Sequence, residues 1–128
     1  GKFGLVDNVA PDTRTTAGFT SSDLDAAAED YNLFEKLRDP SHFRALQFTE
    51  WLASLEAAGF CVTHHEVLAK PMGFLAWAER MQVHDQTLDE LVRMIEEGSS
   101  AIRAYLRPEH GENGLTFTLS EGLFVCAA

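Results

Sequence analysis

The sequence predicts an α/β domain that holds only part of a β-sheet. Three observations predict it. The chain opens on a short apolar run, Phe3-Gly4-Leu5-Val6, that ends in the polar pair Asp7-Asn8. Further strand-like runs, at 60–69 and 122–127, are separated from it by segments with helical apolar spacing. The strands are too few to cover those helices, and a fully buried parallel strand, as the first one reads, needs neighbours on both sides. The chain therefore reads as one domain, residues 1–128, and as the second part of a larger sheet.

The elements follow in order. After the strand ending at Asn8, residues 9–20 read as a loop punctuated by Pro11, Asp12, Gly18 and threonines. Ser22, with Asp25 three residues on, resembles a capping box and opens a helix. Leu24, Ala27, Ala28, Tyr31, Phe34 and Leu37 give that helix its apolar face. Asp39-Pro40 ends it, because the residue before proline avoids the α region. Thr49 is the expected cap of a second helix, with Trp51, Leu52, Leu55 and Ala58 inward and Gly59 just past its end. The strand at 60–69 would place Cys61, Thr63, His65 and Val67 on one face and Val62, His64, Glu66 and Leu68 on the other. Lys70-Pro71 is expected to break it. Short helices follow over 73–81, from Asp85 or Thr87 to Gly98, and from Ser99 or Ser100 to Leu106. Two strands, 115–119 and 122–127, would close the chain as a hairpin turning at Ser120-Glu121.

Composition narrows the function. The net charge is −10 over 128 residues, and residues 1–60 and 61–128 carry −5 each. A uniformly acidic chain repels phosphate backbones, which argues against nucleic acid as a partner. It has no basic amphipathic face for an anionic membrane and no apolar run long enough to span one. The two cysteines, Cys61 and Cys126, make no framework and read as reduced core thiols of a cytoplasmic protein. His64 and His65 are adjacent on a strand and face opposite ways, so no metal site is expected. There is no GxSxG, GxGxxG or P-loop.

The chemistry-bearing cluster is 31–44, where a helix stops and Asp39-Pro40-Ser41-His42-Phe43-Arg44 follows. It gathers a carboxylate, an imidazole and a guanidinium in one turn. Open α/β sheets bind ligands at the carboxyl ends of strands, and this turn could lie over the end of the first one. Its plainer reading is a polar helix stop with Asp39 and Ser41 bonding nearby backbone. Asp7-Asn8 has the same two readings, binding site or turn. Phe74 and Trp77 read as core, or failing that as the wall of an apolar pocket.

Taken together, Leu5-Val6-Asp7-Asn8-x-Ala-Pro, Phe34-Glu35-x-Leu-Arg38-Asp39-Pro40-Ser41-His42, Trp51-Leu-x-x-Leu55-Glu-Ala-Ala-Gly59-Phe60 and Phe74-x-x-Trp77-x-x-Arg80-Met81 resemble the carboxyl-terminal half of class I S-adenosylmethionine-dependent methyltransferases. The likeness is to the C-methyltransferase-like proteins of ubiquinone and menaquinone biosynthesis. It implies a partial Rossmann-like sheet, the strand 5-7-6 half of a seven-stranded one, with 2–8, 60–69 and 122–127 as its fifth, sixth and seventh strands. Residues 73–106 would be a small helical insertion. The family's glycine-rich loop and the acidic residue that hold the cofactor precede these elements. The resemblance therefore implies a truncated enzyme with the substrate-side elements, inactive alone, that does not bind S-adenosylmethionine tightly. It implies His42 and Glu35 as catalytic residues. Asp7, Asn8, Tyr31, Phe34 and Arg44 would bind a small-molecule methyl acceptor. The open edge of the first strand predicts a homodimer. The alternative is a non-enzymatic α/β ligand-binding or protein-interaction module.

Overall fold

The structure, a computed structural model, describes residues 1–128. Strand β1 (Lys2–Asn8) leads through a loop to helix α1 (Ser21–Arg38) and helix α2 (Phe48–Ala57). Strand β2 (Cys61–Gly73) then runs straight into helix α3 (Phe74–Glu79), followed by α4 (Asp85–Glu97) and α5 (Ser100–Leu106). Short β3 (Glu109–Gly111) and long β4 (Gly114–Ala127) complete the chain. The architecture is mixed α/β with an open sheet. β4 lies at its centre, antiparallel to β1 on one side and to β2 on the other, and β3 pairs with its first residues. β1 and β2 are consequently parallel to each other, with β4 between them.

One sequence expectation fails at β4. The predicted hairpin at Ser120-Glu121 does not exist; β4 is continuous through both residues, and the turn lies at Glu112-Asn113, between β3 and β4. The sequence looks like two strands because the apolar phase changes. Phe117 and Leu119 belong to the main core with α1, α3, α4 and α5, whereas Phe124 and Cys126 belong to a second core under α2. Odd and even residues of one strand point to opposite faces, so the two cores lie on opposite sides of the sheet. Gly122 sits just past the change. A Cβ there would stand 2.8 Å from the Phe124 ring and 3.0 Å from Val9 Cγ1.

Other boundaries also differ. Pro71 does not break β2, which continues to Gly73; β2 is an edge strand, where a missing N–H is tolerated. The expected two-face alternation along 61–68 is interrupted by a bulge between Val62 and His64. Thr20, not Ser22, caps α1, its hydroxyl accepting from the Asp23 N–H at 3.1 Å. Gln47, not Thr49, is the N-cap of α2, and Glu50 reaches back to the Gln47 N–H at 3.1 Å. Gly59 does take the positive φ, +91°, expected after α2. Cys126 is buried as expected, but Cys61 is exposed. β1 is not enclosed: its only strand neighbour is β4, and Phe3 and Val6 remain 39% and 51% exposed.

The close approach at Gly122 makes a direct prediction. Gly122→Ala should destabilise the chain by about 1–3 kcal/mol, the cost of overpacking a filled core. Urea unfolding measures it; an unchanged midpoint would show that Phe124 and Val9 yield freely.

Candidate functional site

Helix α1 carries the site on two faces. Its inward face presents Tyr31, Phe34 and Glu35, all buried. The Tyr31 hydroxyl donates to Glu35 Oε1 at 3.2 Å. Phe34 stacks on Trp77 of α3, with centroids 4.8 Å apart and planes 11° from parallel. Arg38, one turn from Phe34, locks this arrangement. Its Nε donates to the Trp77 carbonyl at 2.9 Å, its guanidinium lies 4.5 Å from the Trp77 ring centre, and Nη1 stands 3.8 Å from Glu35 Oε2. Burial pushes the Glu35 carboxyl up from its ordinary value, against the pull of Arg38 and the Tyr31 hydrogen bond. Burial likewise raises the Tyr31 phenol, with Tyr105 and Glu35 adding to the effect.

The other face of α1 meets the 41–47 segment across Asn32. Asn32 Nδ2 donates to the Ala28 and Ala45 carbonyls at 3.0 and 3.2 Å. Its Oδ1 accepts from the Ala45 N–H at 2.6 Å and faces His42 Nε2 at 3.0 Å. These bonds fix which end of the amide is oxygen, so His42 must carry its proton on Nε2. The Nδ1 lone pair is left without a partner from the chain. Burial lowers the His42 pKa and Lys36 adds to it, while Asp39 opposes. The neutral form of the imidazole is therefore favoured. Asn32, Leu33, Lys36, His42 and Arg44 line an open groove of about 730 Å³.

The predicted residues divide accordingly. Tyr31, Phe34 and Glu35 come together inside; His42 and Arg44 come together on the groove. Arg44 is spent on a bidentate pair with Glu50, at 2.9 and 3.0 Å. Asp39 turns onto the Ser41 hydroxyl at 2.6 Å and its N–H at 3.0 Å, which holds its carboxyl below the usual range. That much of the Asp-Pro-Ser-His turn is a polar helix stop. Asp7 and Asn8 stand at the carboxyl end of β1, and the Asp7 charge reaches both Tyr31 and His42. Asn8 Oδ1 is buried with no hydrogen-bond partner. Asn32, Arg38 and Tyr105 were not singled out from sequence. An asparagine in mid-helix is a signal, since its side chain competes for backbone groups there.

The backbone at the end of β1 is closed. The Asn8 N–H donates to Asp7 Oδ1, Val9 to the Ser120 carbonyl and Ala10 to the Leu46 carbonyl; Tyr105 donates its hydroxyl to the Val9 carbonyl. No three His, Cys, Asp or Glu side chains converge as metal ligands, and no helix is long and apolar enough to cross a membrane.

No protein-family model and no curated protein matches the chain. Solved structures do, among them two from Bacillus species. BH2331 of Bacillus halodurans C-125, provisionally assigned as a methyltransferase, superposes with a TM-score of 0.79 and 29% identity over 98% of this chain and 55% of its own. YcgJ of Bacillus subtilis superposes with a TM-score of 0.74 and 23% identity over 98% of this chain and 50% of its own. The chain thus has a methyltransferase-like fold throughout, and spans about half the length of the structures it matches.

Two titrations test the site. The NMR midpoint of His42 should fall below 6.5, with its neutral form protonated on Nε2; a higher midpoint or an Nδ1–H tautomer would contradict the Asn32 contact. Glu35 behaves as a group with a raised folded pKa. Its contribution to stability is complete below its ordinary value of 4.5 and is lost as pH rises through the raised one. Glu35→Gln cannot ionise, so its stability relative to the parent should grow across that window in urea unfolding. A pH-independent difference would show that Glu35 is not strained by ionisation.

Proposed function

We propose that residues 1–128 form the substrate-side part of a class I S-adenosylmethionine-dependent methyltransferase of the ubiquinone/menaquinone C-methyltransferase kind. The observation that carries this reading is the likeness to BH2331 over 98% of the chain. The order β1-β4-β2, with β4 reversed, suits the strand 5-7-6 half of a seven-stranded sheet, and 73–106 suits a helical insertion on it. In the family that the sequence resembles, S-adenosylmethionine is held by a glycine-rich loop and an acidic residue that precede the elements present here. The residues that hold it belong to the part of the fold that these 128 residues do not match.

The acceptor is a small molecule with a polar head. Asn8 Oδ1 would take a hydrogen bond from it, and Asp7 lies beside it at the strand end. His42, neutral and with Nδ1 as its open acceptor, is suited to take a proton from the acceptor during transfer. Arg44 flanks the groove as a bidentate pair with Glu50, and would have to exchange Glu50 for the head group to orient it. Glu35, Tyr31 and Phe34, on the inward face of α1, hold the helix in register beneath it. Alone, residues 1–128 are inactive and form a cytoplasmic homodimer through the β1 edge; they bind neither nucleic acid nor membrane.

Calorimetry with S-adenosylmethionine, with light scattering on the same sample, tests this. No binding and the mass of a dimer are expected. Micromolar binding would overturn the assignment of these elements to the substrate side. A monomer at high concentration would remove the edge-pairing proposal and leave the rest standing.

A further inference from the structure

A second cavity lies away from the groove, between α1, α4 and α5. It measures about 270 Å³ and is lined by Phe34, Met94, Ile102 and Leu106, with Gly98 at one corner. Phe34, Ile102 and Leu106 are buried, so its floor is part of the main core. An apolar cavity of about 150 Å³ already accepts benzene. This one has room for a ring and a short tail.

Its rim is charged in one sense. Asp30 of α1 and Glu90 and Glu97 of α4 line it with a single cation, Arg93. Arg93 is already taken: Glu90 Oε2 lies 2.6 Å from its Nη1 and Glu97 Oε2 lies 3.9 Å from its Nε. Asp30 is left without a counter-ion. The end of α4 sharpens the field. A helix C-terminus carries partial negative charge and favours lysine or arginine in its last turn. α4 has neither there; it has Glu96 and Glu97. Glu96, which does not line the cavity, is met by His110 Nε2 at 2.8 Å. Glu97 adds its charge to the helix end beside Asp30. Such a violation of a local rule at the mouth of an apolar cavity is expected where a site is built.

We propose that this cavity binds a small organic ammonium ion with an apolar body. The body rests on Phe34, Met94, Ile102 and Leu106, and the ammonium group meets Asp30, Glu97 and the end of α4. The complementary charge selects a cation over a neutral or anionic ligand of the same shape. The site is independent of the methyl-transfer reading, and its test needs no activity.

The probe is 2-phenylethylammonium, with 3-phenylpropionate as a control of matching ring and tail but opposite charge. Methyl-labelled methionine reports binding on the full chain. Met94 lines the cavity, while Met72 and Met81 do not. The Met94 signal should shift saturably with the ammonium probe and not with the carboxylate, with Met72 and Met81 unmoved. Asp30→Asn and Glu97→Gln should each weaken binding about threefold to fivefold, and added salt should weaken it further. An unmoved Met94, equal shifts with both probes, a shift of all three methionines, or parent-like binding by both variants would overturn the proposal.

Discussion

The fold depends on one strand that serves two cores. β4 gives its first half to the helical layer on one face and its second half to α2 on the other. Everything else hangs on this division. β2 follows β4 for nearly its full length and crosses from one core to the other with it. β1 pairs only with the second half, so it ends just where the coverage changes face, between Glu121 and Ser120. That crossing point is where Val9, Tyr105 and Ser120 are tied together and where Asp7 and Asn8 emerge. The candidate site is therefore a consequence of the sheet changing its covered side.

The same feature explains what the sequence hid. Period-two alternation made Phe117 and Leu119 legible as one strand and Phe124 and Cys126 as another. A phase change between them looks like a turn, and Ser120-Glu121-Gly122 has turn composition. Only the tertiary arrangement shows that the phase changes because the burying partner changes. Gly122 is present for close approach to Phe124 and Val9, not for a bend. Where one partner covers an element throughout, reading was easier. Leu24, Ala27, Tyr31 and Phe34 of α1, Leu91 and Ile95 of α4, and Gly59 after α2 stand as their spacing implied, whereas Leu37, past the last core contact of α1, is 39% exposed.

The site was half legible for a related reason. Residue type exposed Asp39, His42 and Arg44 as a polar cluster, but not which groups were already engaged. Arg44 is neutralised by Glu50 six residues on, through a connector with no regular periodicity. Asp39 is satisfied by its own turn. His42 differs because Asn32, held by three backbone groups, fixes the ring while leaving one nitrogen open. Such a relation between positions ten apart across a helix end leaves no spacing pattern to find. Arg38 is hidden in the same way, since its partner Trp77 lies on α3, beyond α2 and the whole of β2.

Arg38 also joins the helical insertion to the site. Through Trp77 it fixes α3, and through Glu35 it touches the buried acid that Tyr31 bonds. The cation lies over an aromatic ring, which shields it partly alongside its pair with Glu35. A carboxyl that burial raises and a guanidinium that lowers it are held in opposition at one helix turn. Removing the cation would leave Glu35 with burial as its dominant influence and would loosen Trp77 from Phe34 at the same time. The packing of the insertion and the protonation of α1 are thus set by one side chain, which ties the α3–α5 layer to the end of β1.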